Sequence, residues 1–139
     1  MTLSYKKYTL IGMKEIKLNL THYKLLDTVK WLNDQHLYAT QNGVYKIIHG
    51  DLDEDTVNLT DCPTFSVIVS YPSKKVMRFI LALHRYGYLL KIYDKKSNEL
   101  YLSITFKGRE ALEKFHKRHP QPYKKGVKRF KHQIVKIEK

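Results

Sequence analysis

Residues 73–115 constrain the fold of this chain most strongly. They begin with a run in which Val76, Ile80 and Leu83 recur at helical spacing, and Gly87 follows that run. Two short runs of alternating apolar residues come next, separated by a polar turn, and a second helical pattern closes the segment. Such spacing places apolar side chains on one face of each helix and on one side of each strand. The segment therefore predicts a helix, a Gly turn, a β-hairpin and a helix, in that order.

The hairpin is predicted to pair residues 88–93 with residues 100–104 across a turn at residues 94–98. The alternation predicts that one set of side chains in each strand faces the matching set of the other strand. These two sets are Tyr88, Leu90 and Ile92 in the first strand, and Leu100, Leu102 and Ile104 in the second.

Two more helices are predicted upstream of this segment. The first is expected to follow an N-cap at Thr21 and to run to about Leu37. The second is expected to span residues 40–49 and to end at Gly50, which suits the left-handed position after a helix. Their predicted buried faces consist of Leu25, Leu26, Val29 and Leu32 in the first helix and Val44, Ile47 and Ile48 in the second.

The remaining helices have predicted caps. Ser70 or Ser73 is expected to cap the helix before the hairpin, and Thr105 the helix after it. That last helix is expected to bury Ala111, Leu112 and Phe115. The order of elements predicts an α+β fold of the winged helix-turn-helix type, in which helices pack against a two- to three-stranded β wing.

The length and composition indicate one domain with flexible or accessory ends. We expect an N-terminal arm or strand at residues 1–20, a domain at residues 21–119 and a basic tail at residues 120–139. No apolar run is long enough for a membrane span, and no signal peptide is recognisable at the N-terminus. A single cysteine, Cys62, provides neither a disulfide framework nor a zinc-type thiolate cluster. We therefore expect a cytoplasmic protein without metal or cofactor.

The charge of the chain is unevenly distributed. Lysine and arginine number 26 against 13 acidic residues, which gives a formal net charge of +13. Residues 114–139 hold ten basic residues and one acid, so that segment alone carries +9, whereas residues 51–61 hold five of the acids. This separation is typical of a protein with one surface that attracts polyanions, although a solvated, solubilising tail is the other interpretation. Lysine outnumbers arginine 21 to 5, which favours phosphate binding over the reading of base edges.

Several runs of residues resemble a known family, the RQC domain, which is the winged helix at the C-terminus of RecQ helicases. The resemblance covers about residues 22–116. The pattern Gly87-Tyr88-Leu89 and the pattern that begins at Thr105, T-x-x-G-R-x-x-L, are shared by many winged helices, whereas NGVYKIIHG at residues 42–50 is similar to the RQC domain in particular. The similar runs are residues 25–32, 42–50, 76–89 and 101–112.

The resemblance implies a domain that grips DNA duplex ends and junctions, with a hairpin that wedges base pairs apart in some family members. The chain shows no helicase motor, Walker-type phosphate loop or zinc-binding subdomain, so it resembles a stand-alone RQC-like module. Such modules occur as small proteins in Gram-positive genomes and mobile elements. The predicted hairpin turn is polar and has no aromatic residue at its apex. In this respect the chain differs from family members whose hairpin separates base pairs.

Candidate DNA-binding residues fall into three groups. The first lies on and just before the third helix, whose N-terminus favours a phosphate group. The alternative is that the serines cap this helix and that its cations only form a solvated face. The second lies on the hairpin, where lysine beside tyrosine suits a backbone contact with a stacked base, and where cross-strand packing is the equal alternative. The third comprises the last helix and the tail. The groups are Ser70, Ser73, Lys74, Lys75 and Arg78; Lys91, Tyr93, Lys95, Lys96 and Tyr101; and Arg109, Lys124, Lys125, Lys128, Arg129 and Lys131.

Enzymatic constellations are not recognisable. His116 and His119 have a spacing that suits a metal but lack further ligands, and the acids of residues 51–61 share one loop instead of separate strands. We expect a non-enzymatic protein that binds single-stranded or junction DNA with weak sequence specificity. It would act in replication, repair or mobile-element maintenance, alongside a helicase or polymerase, as a monomer or homodimer. The alternatives are a dimeric transcriptional regulator that reads a duplex operator, and a protein–protein adaptor that uses the acidic loop.

Overall fold

Four α-helices and a two-stranded antiparallel hairpin make up the part of the chain that the structure describes. This structure, a computed structural model, describes residues 16–120 and 122–124. The helices and strands are α1 (Leu20–Asp34), α2 (Gln41–His49), α3 (Ser73–Arg85), β1 (Leu89–Asp94), β2 (Glu99–Ile104) and α4 (Phe106–Arg118), with a short 3-10 turn at Val57–Leu59. The architecture is α+β, and the predicted order of elements over residues 73–115 is confirmed. It is compatible with a winged helix.

The core forms where α1 meets the other elements. α1 packs against α2, α3, β2 and α4, and α3 packs against β1. Leu25, Leu26 and Val29 of α1 are completely buried, as the apolar spacing of that helix predicts. The predicted inward residues of α2 and α3 are buried as well, and so are Leu112 and Phe115 of α4, while Ala111 is half-buried.

The hairpin has a register that the sequence did not predict. Leu89 lies opposite Ile104, and Lys91 lies opposite Leu102, so these residues share the core side of the sheet. The prediction that Leu90 and Ile92 face Leu102 and Ile104 is wrong: Leu90 and Ile92 lie on the outer side of the sheet and are 53% and 48% exposed. The alternation was therefore assigned one residue out of phase, which moves a whole set of side chains to the other face.

The ends of α1 differ from the prediction. The N-cap is Asn19, whose side chain accepts a hydrogen bond from the His22 backbone N–H, while the His22 ring Nδ1 accepts from the Asn19 backbone N–H. At the other end His36 has a φ of 60°, and the Leu37 N–H donates to the Leu32 carbonyl. This pattern is a Schellman motif, which ends the helix at Asp34 without the glycine that usually signals it.

The cap predicted for α3 is also wrong. Neither Ser70 nor Ser73 caps the helix, because the N-cap position is Pro72 and no side chain there makes a capping hydrogen bond. The predicted cap of α4 is confirmed, since the Thr105 side chain accepts from the Gly108 N–H. The left-handed Gly50 after α2 is confirmed as well, with a φ of 83°.

The connection between α2 and α3 runs mostly in turns. Lys46 of α2 forms ion pairs with Asp53 at 2.9 Å and Asp55 at 3.1 Å, which tie the acidic loop to that helix. The hydrogen bonds that the Lys46 ammonium donates to these carboxylates, first to Asp53 and then to Asp55, raise the pKa of Lys46. Further along, the Ile68 N–H donates to the carbonyl of Ile48. The acidic loop is thus held against α2, on an element separate from the hairpin.

Contacts from α1 and the segment after it hold the edge of β2. The Leu102 N–H donates to the Ala39 carbonyl at 2.7 Å, which adds one hydrogen bond from a third backbone segment to the two-stranded sheet. The Asn33 side chain accepts from the Ile104 N–H and donates to the Leu102 carbonyl. The hairpin is therefore fixed to the helical part of the fold along β2.

Candidate nucleic-acid interface

Helix α3 has a basic stripe on its solvent side, which Leu81, 45% exposed, interrupts between Arg78 and Arg85. Lys74, Arg78 and Arg85 are all exposed, and their spacing of four and seven residues places them along one line of the helix. The buried residues of α3 lie on the opposite side, which fixes this stripe toward solvent. The helix contains no acidic residue. We call Lys74, Arg78 and Arg85 the α3 stripe.

The α3 stripe differs from other cations because it has no carboxylate partner among the described residues. Lys30 and Arg109 both bind Asp34 at 3.0 Å. Lys46 is paired with the acidic loop, whereas no ion pair within the described ranges involves a residue of α3. Cations that already bind carboxylates lose part of their attraction for phosphate. The α3 stripe therefore keeps its full charge available to an external anion.

The remaining candidates at the start of α3 are exposed. Ser70, Ser73 and Lys75 all face solvent, and the Lys75 ammonium lies 4.0 Å from the ring centroid of Tyr71. This cation–π contact orients the lysine beside the helix N-terminus. The backbone N–H groups there, together with the helix dipole, favour an anion in the same place.

The three candidate lysines of the hairpin differ in exposure. Lys91 is half-buried on the core side of the sheet, while Lys95 and Lys96 are exposed in the turn. That turn is held by Asp94, whose carboxylate accepts from the Lys96 backbone N–H and from the Ser97 hydroxyl. Since α3 runs directly into β1 and packs against it, the α3 stripe and the hairpin lie on adjoining elements.

The two candidate tyrosines of the hairpin lie on opposite sides of the sheet. Tyr93 is opposite Leu100 on the core side, and its hydroxyl donates to the Asn98 side chain. Tyr101 is opposite Ile92 on the outer side, where its ring stacks on Tyr38. The structure therefore does not bring Tyr93 and Tyr101 together. Each has an intramolecular partner: Asn98 of the hairpin turn for Tyr93, and Tyr38 of the segment after α1 for Tyr101.

Arg109 and the tail residues have different surroundings. Arg109 joins α4 to α1 through Asp34, and hydrogen bonds from Lys30 and then Arg109 lower the pKa of that carboxyl group. Lys124 is exposed at the end of the described chain. The other predicted tail contacts, Lys125, Lys128, Arg129 and Lys131, lie outside the described residues.

A cleft of about 400 Å³ lies between α1 and the segment after α4. In it the Asp27 carboxylate accepts a hydrogen bond from the Tyr123 hydroxyl and lies 2.7 Å from Nε2 of His116. Burial, and then the Asp27 charge, raise the pKa of Tyr123. These contacts anchor the chain just before Lys124.

Two exposed residues that bear on the candidate interface are missing from the residues predicted from the sequence. Arg85 completes the α3 stripe, and its spacing from Arg78 was a sufficient signal to include it. Tyr38 is 74% exposed and stacks on Tyr101, but it lies between helices in the sequence, where no periodicity indicates a role.

Comparison with protein-family models, curated proteins and solved structures finds no significant match to this chain. Over the described ranges, no helix is long and apolar enough to cross a membrane. The same part of the chain shows no cluster of three or more His, Cys, Asp or Glu residues that could hold a metal ion. The candidate interface therefore depends on its own geometry and charge.

Proposed function

We propose that this chain is a non-enzymatic DNA-binding protein of the winged-helix type, with the α3 stripe as its main phosphate-binding element. The observation that carries the proposal is the α3 stripe itself: three exposed cations in a line, on a helix without acids and without carboxylate partners in the described structure. A polyanion gains from such a surface because condensed counterions are released when lysine and arginine replace them.

The order of elements supports the winged-helix part of the proposal. α3 is followed directly by the hairpin, and the Ala39 carbonyl adds a third backbone segment at the edge of β2. Lys95 and Lys96 in the hairpin turn are two further exposed cations. The resemblance to the RQC domain implies the same use of these elements.

Binding led by the DNA backbone fits the side chains that are present. The exposed side of α3 offers lysine and arginine but no asparagine or glutamine, which are the usual readers of adenine. Phosphate contacts position a protein on DNA without specifying sequence. We propose weak sequence specificity, with a preference for single strands or single-strand/duplex junctions, in replication, repair or mobile-element maintenance beside a separate helicase or polymerase.

A comparison of DNA shapes tests this function. Fluorescence anisotropy would measure the affinity of the full chain for a single strand, a blunt duplex of the same sequence, and a fork that combines both. The proposal predicts tighter binding to the single strand or the fork than to the duplex, and similar affinities when the sequence is scrambled. Selection of a pseudo-palindromic duplex that binds more tightly than the fork would contradict it and would favour a dimeric transcriptional regulator.

A further inference from the structure

We propose that the stacked pair Tyr38 and Tyr101 is a docking platform for an unpaired nucleobase of single-stranded DNA. The inference deepens the proposed function and rests on it, because it assigns the preference for single strands to one place on the surface. The ring centroids are 4.2 Å apart and the ring planes differ by 16°, so the two tyrosines form a parallel stack.

The stack has one free side. Tyr38 is 74% exposed although it is a large aromatic residue, whereas Tyr101, on which it stacks, is half-buried. The outer ring of a stack that ends in solvent can accept another flat ring at the same spacing. Aromatic side chains provide such platforms for bases of any sequence, since every base has a π face.

The platform is held in place by backbone and side-chain contacts. The Leu102 N–H, next to Tyr101, donates to the carbonyl of Ala39, which follows Tyr38. The Tyr101 hydroxyl lies 3.0 Å from the Ser97 hydroxyl, which fixes the ring against the hairpin turn. A platform that is already ordered loses little conformational entropy when a ligand stacks on it.

Charge near the platform favours a nucleotide over an apolar protein segment. Ser97 connects Tyr101 to the turn that contains Lys95 and Lys96, two exposed cations that form no ion pair with any other described residue. The Asp94 carboxylate beside them is occupied by hydrogen bonds within the turn. A base on Tyr38 would therefore have phosphate-binding lysines at the adjoining turn, while duplex DNA, whose bases are stacked internally, has no base to offer.

The test is substitution of Tyr38 with measurement on two DNA shapes. Tyr38→Ala should weaken binding to a single strand by roughly 5- to 150-fold, the range for loss of one base–aromatic stack, and should leave the affinity for blunt duplex unchanged. Tyr38→Phe, which keeps the ring, should restore wild-type affinity. Phe106→Ala is the matched control, because Phe106 is 78% exposed but lies at the opposite end of β2 from the turn.

A second measurement locates the base directly. A single strand with 2-aminopurine should be quenched on binding to wild type and much less on binding to Tyr38→Ala, and a 5-iodouracil strand should crosslink to the peptide that contains Tyr38. Equal single-strand affinity and equal quenching in wild type and Tyr38→Ala would overturn the platform while leaving DNA binding intact. Dissociation of a dimer by Tyr38→Ala with unchanged DNA affinity would also overturn it and assign the stack to a protein contact. If the wild-type protein binds neither the single strand nor the duplex, the proposed function itself is rejected.

Discussion

The Asn33 side chain in α1 accepts a hydrogen bond from the backbone N–H of Ile104 in β2 at 2.8 Å. Its amide nitrogen also donates to the Leu102 carbonyl at 3.3 Å. One side chain thus takes the place that a neighbouring strand would have along this part of β2. Because Leu102 and Ile104 are buried, water has little access to these backbone groups once the side chain is removed.

Asn33→Ala should lower the free energy of unfolding by about 1–3 kcal/mol, because it leaves buried backbone groups without partners. Urea unfolding followed by circular dichroism would measure the change. Asn42→Ala is the control, since Asn42 is exposed on α2, and it should shift stability by less than about 0.5 kcal/mol. Equal stabilities of Asn33→Ala and wild type would show that the Asn33 contacts do not hold the hairpin.

Gly108→Ala should destabilise the junction between the hairpin and α4. A Cβ atom at this position would lie 2.5 Å from the Tyr88 carbonyl oxygen and 2.8 Å from the Ile104 side chain. The first of these is backbone, so strand and helix would have to separate, at a cost of about 1–3 kcal/mol. Thermal unfolding would report it as a lower Tm. Glu113→Ala, on the exposed face of the same helix, should leave Tm nearly unchanged.

The position of Gly108 explains part of the sequence pattern T-x-x-G-R-x-x-L. Thr105 caps the helix by accepting from the Gly108 N–H, and its hydroxyl lies 3.0 Å from the Tyr88 carbonyl oxygen, to which it can donate. Gly108 then allows that carbonyl to approach the helix closely. The cap and the last helix could be predicted from these residues because the pattern is local.

The hairpin register could not be predicted in the same way. Tyr88 and Leu89 are both buried, although only Leu89 belongs to β1. Two adjacent buried residues at the start of a strand give two possible phases, and the apolar character of Leu90 and Ile92 favoured the wrong one. Those residues are exposed in spite of their side chains, and tertiary packing alone decides this.

In the candidate site, too, local patterns could be predicted from the sequence, whereas contacts between distant segments could not. The α3 stripe follows from helical spacing within one segment, so its cations were mostly predicted. Tyr38 and Tyr101 are far apart in the sequence and meet only because the segment after α1 lies along β2. The pairing of Arg109 with Asp34 is likewise a contact between helices distant in the chain, and no local pattern indicates that this arginine is paired.

His22 should make stability depend on pH. Burial lowers the pKa of His22, and its neutral ring accepts the Asn19 N–H at Nδ1. The folded state therefore binds the proton less readily than the unfolded state, whose histidine pKa is about 6.5. The stabilisation is present above that pH and is lost as the pH falls below it.

Urea unfolding of wild type and His22→Gln between pH 8 and pH 5 would measure this effect. Glutamine keeps a capping side chain at the same position but does not titrate. Wild type should lose stability relative to the variant as the pH decreases below about 6.5, and the difference between the two should be constant above pH 7.5. A difference that stays the same across the whole range would mean that His22 does not titrate on unfolding.

Deletion of residues 125–139 should weaken binding to every DNA shape and reduce its salt dependence. The deletion removes six basic residues and one acid. It keeps Tyr123, whose contact with Asp27 anchors the end of the described chain. Anisotropy titrations at several salt concentrations would measure both quantities. An unchanged salt slope after deletion would show that the tail does not contact phosphate.

The salt dependence of single-strand binding tests the role of the α3 stripe most directly. If about five phosphates are neutralised, log K should fall with log[salt] at a slope of roughly −3.5 on single strands, and Arg78→Gln with Arg85→Gln should make the slope shallower by about 1.4. The matched control is Lys30→Gln with Lys46→Gln, which removes the same charge from cations that are already paired with carboxylates, and it should keep the wild-type slope. Equal slopes for the two double variants would contradict the account, because they would show that the helix before the hairpin does not bind the DNA backbone.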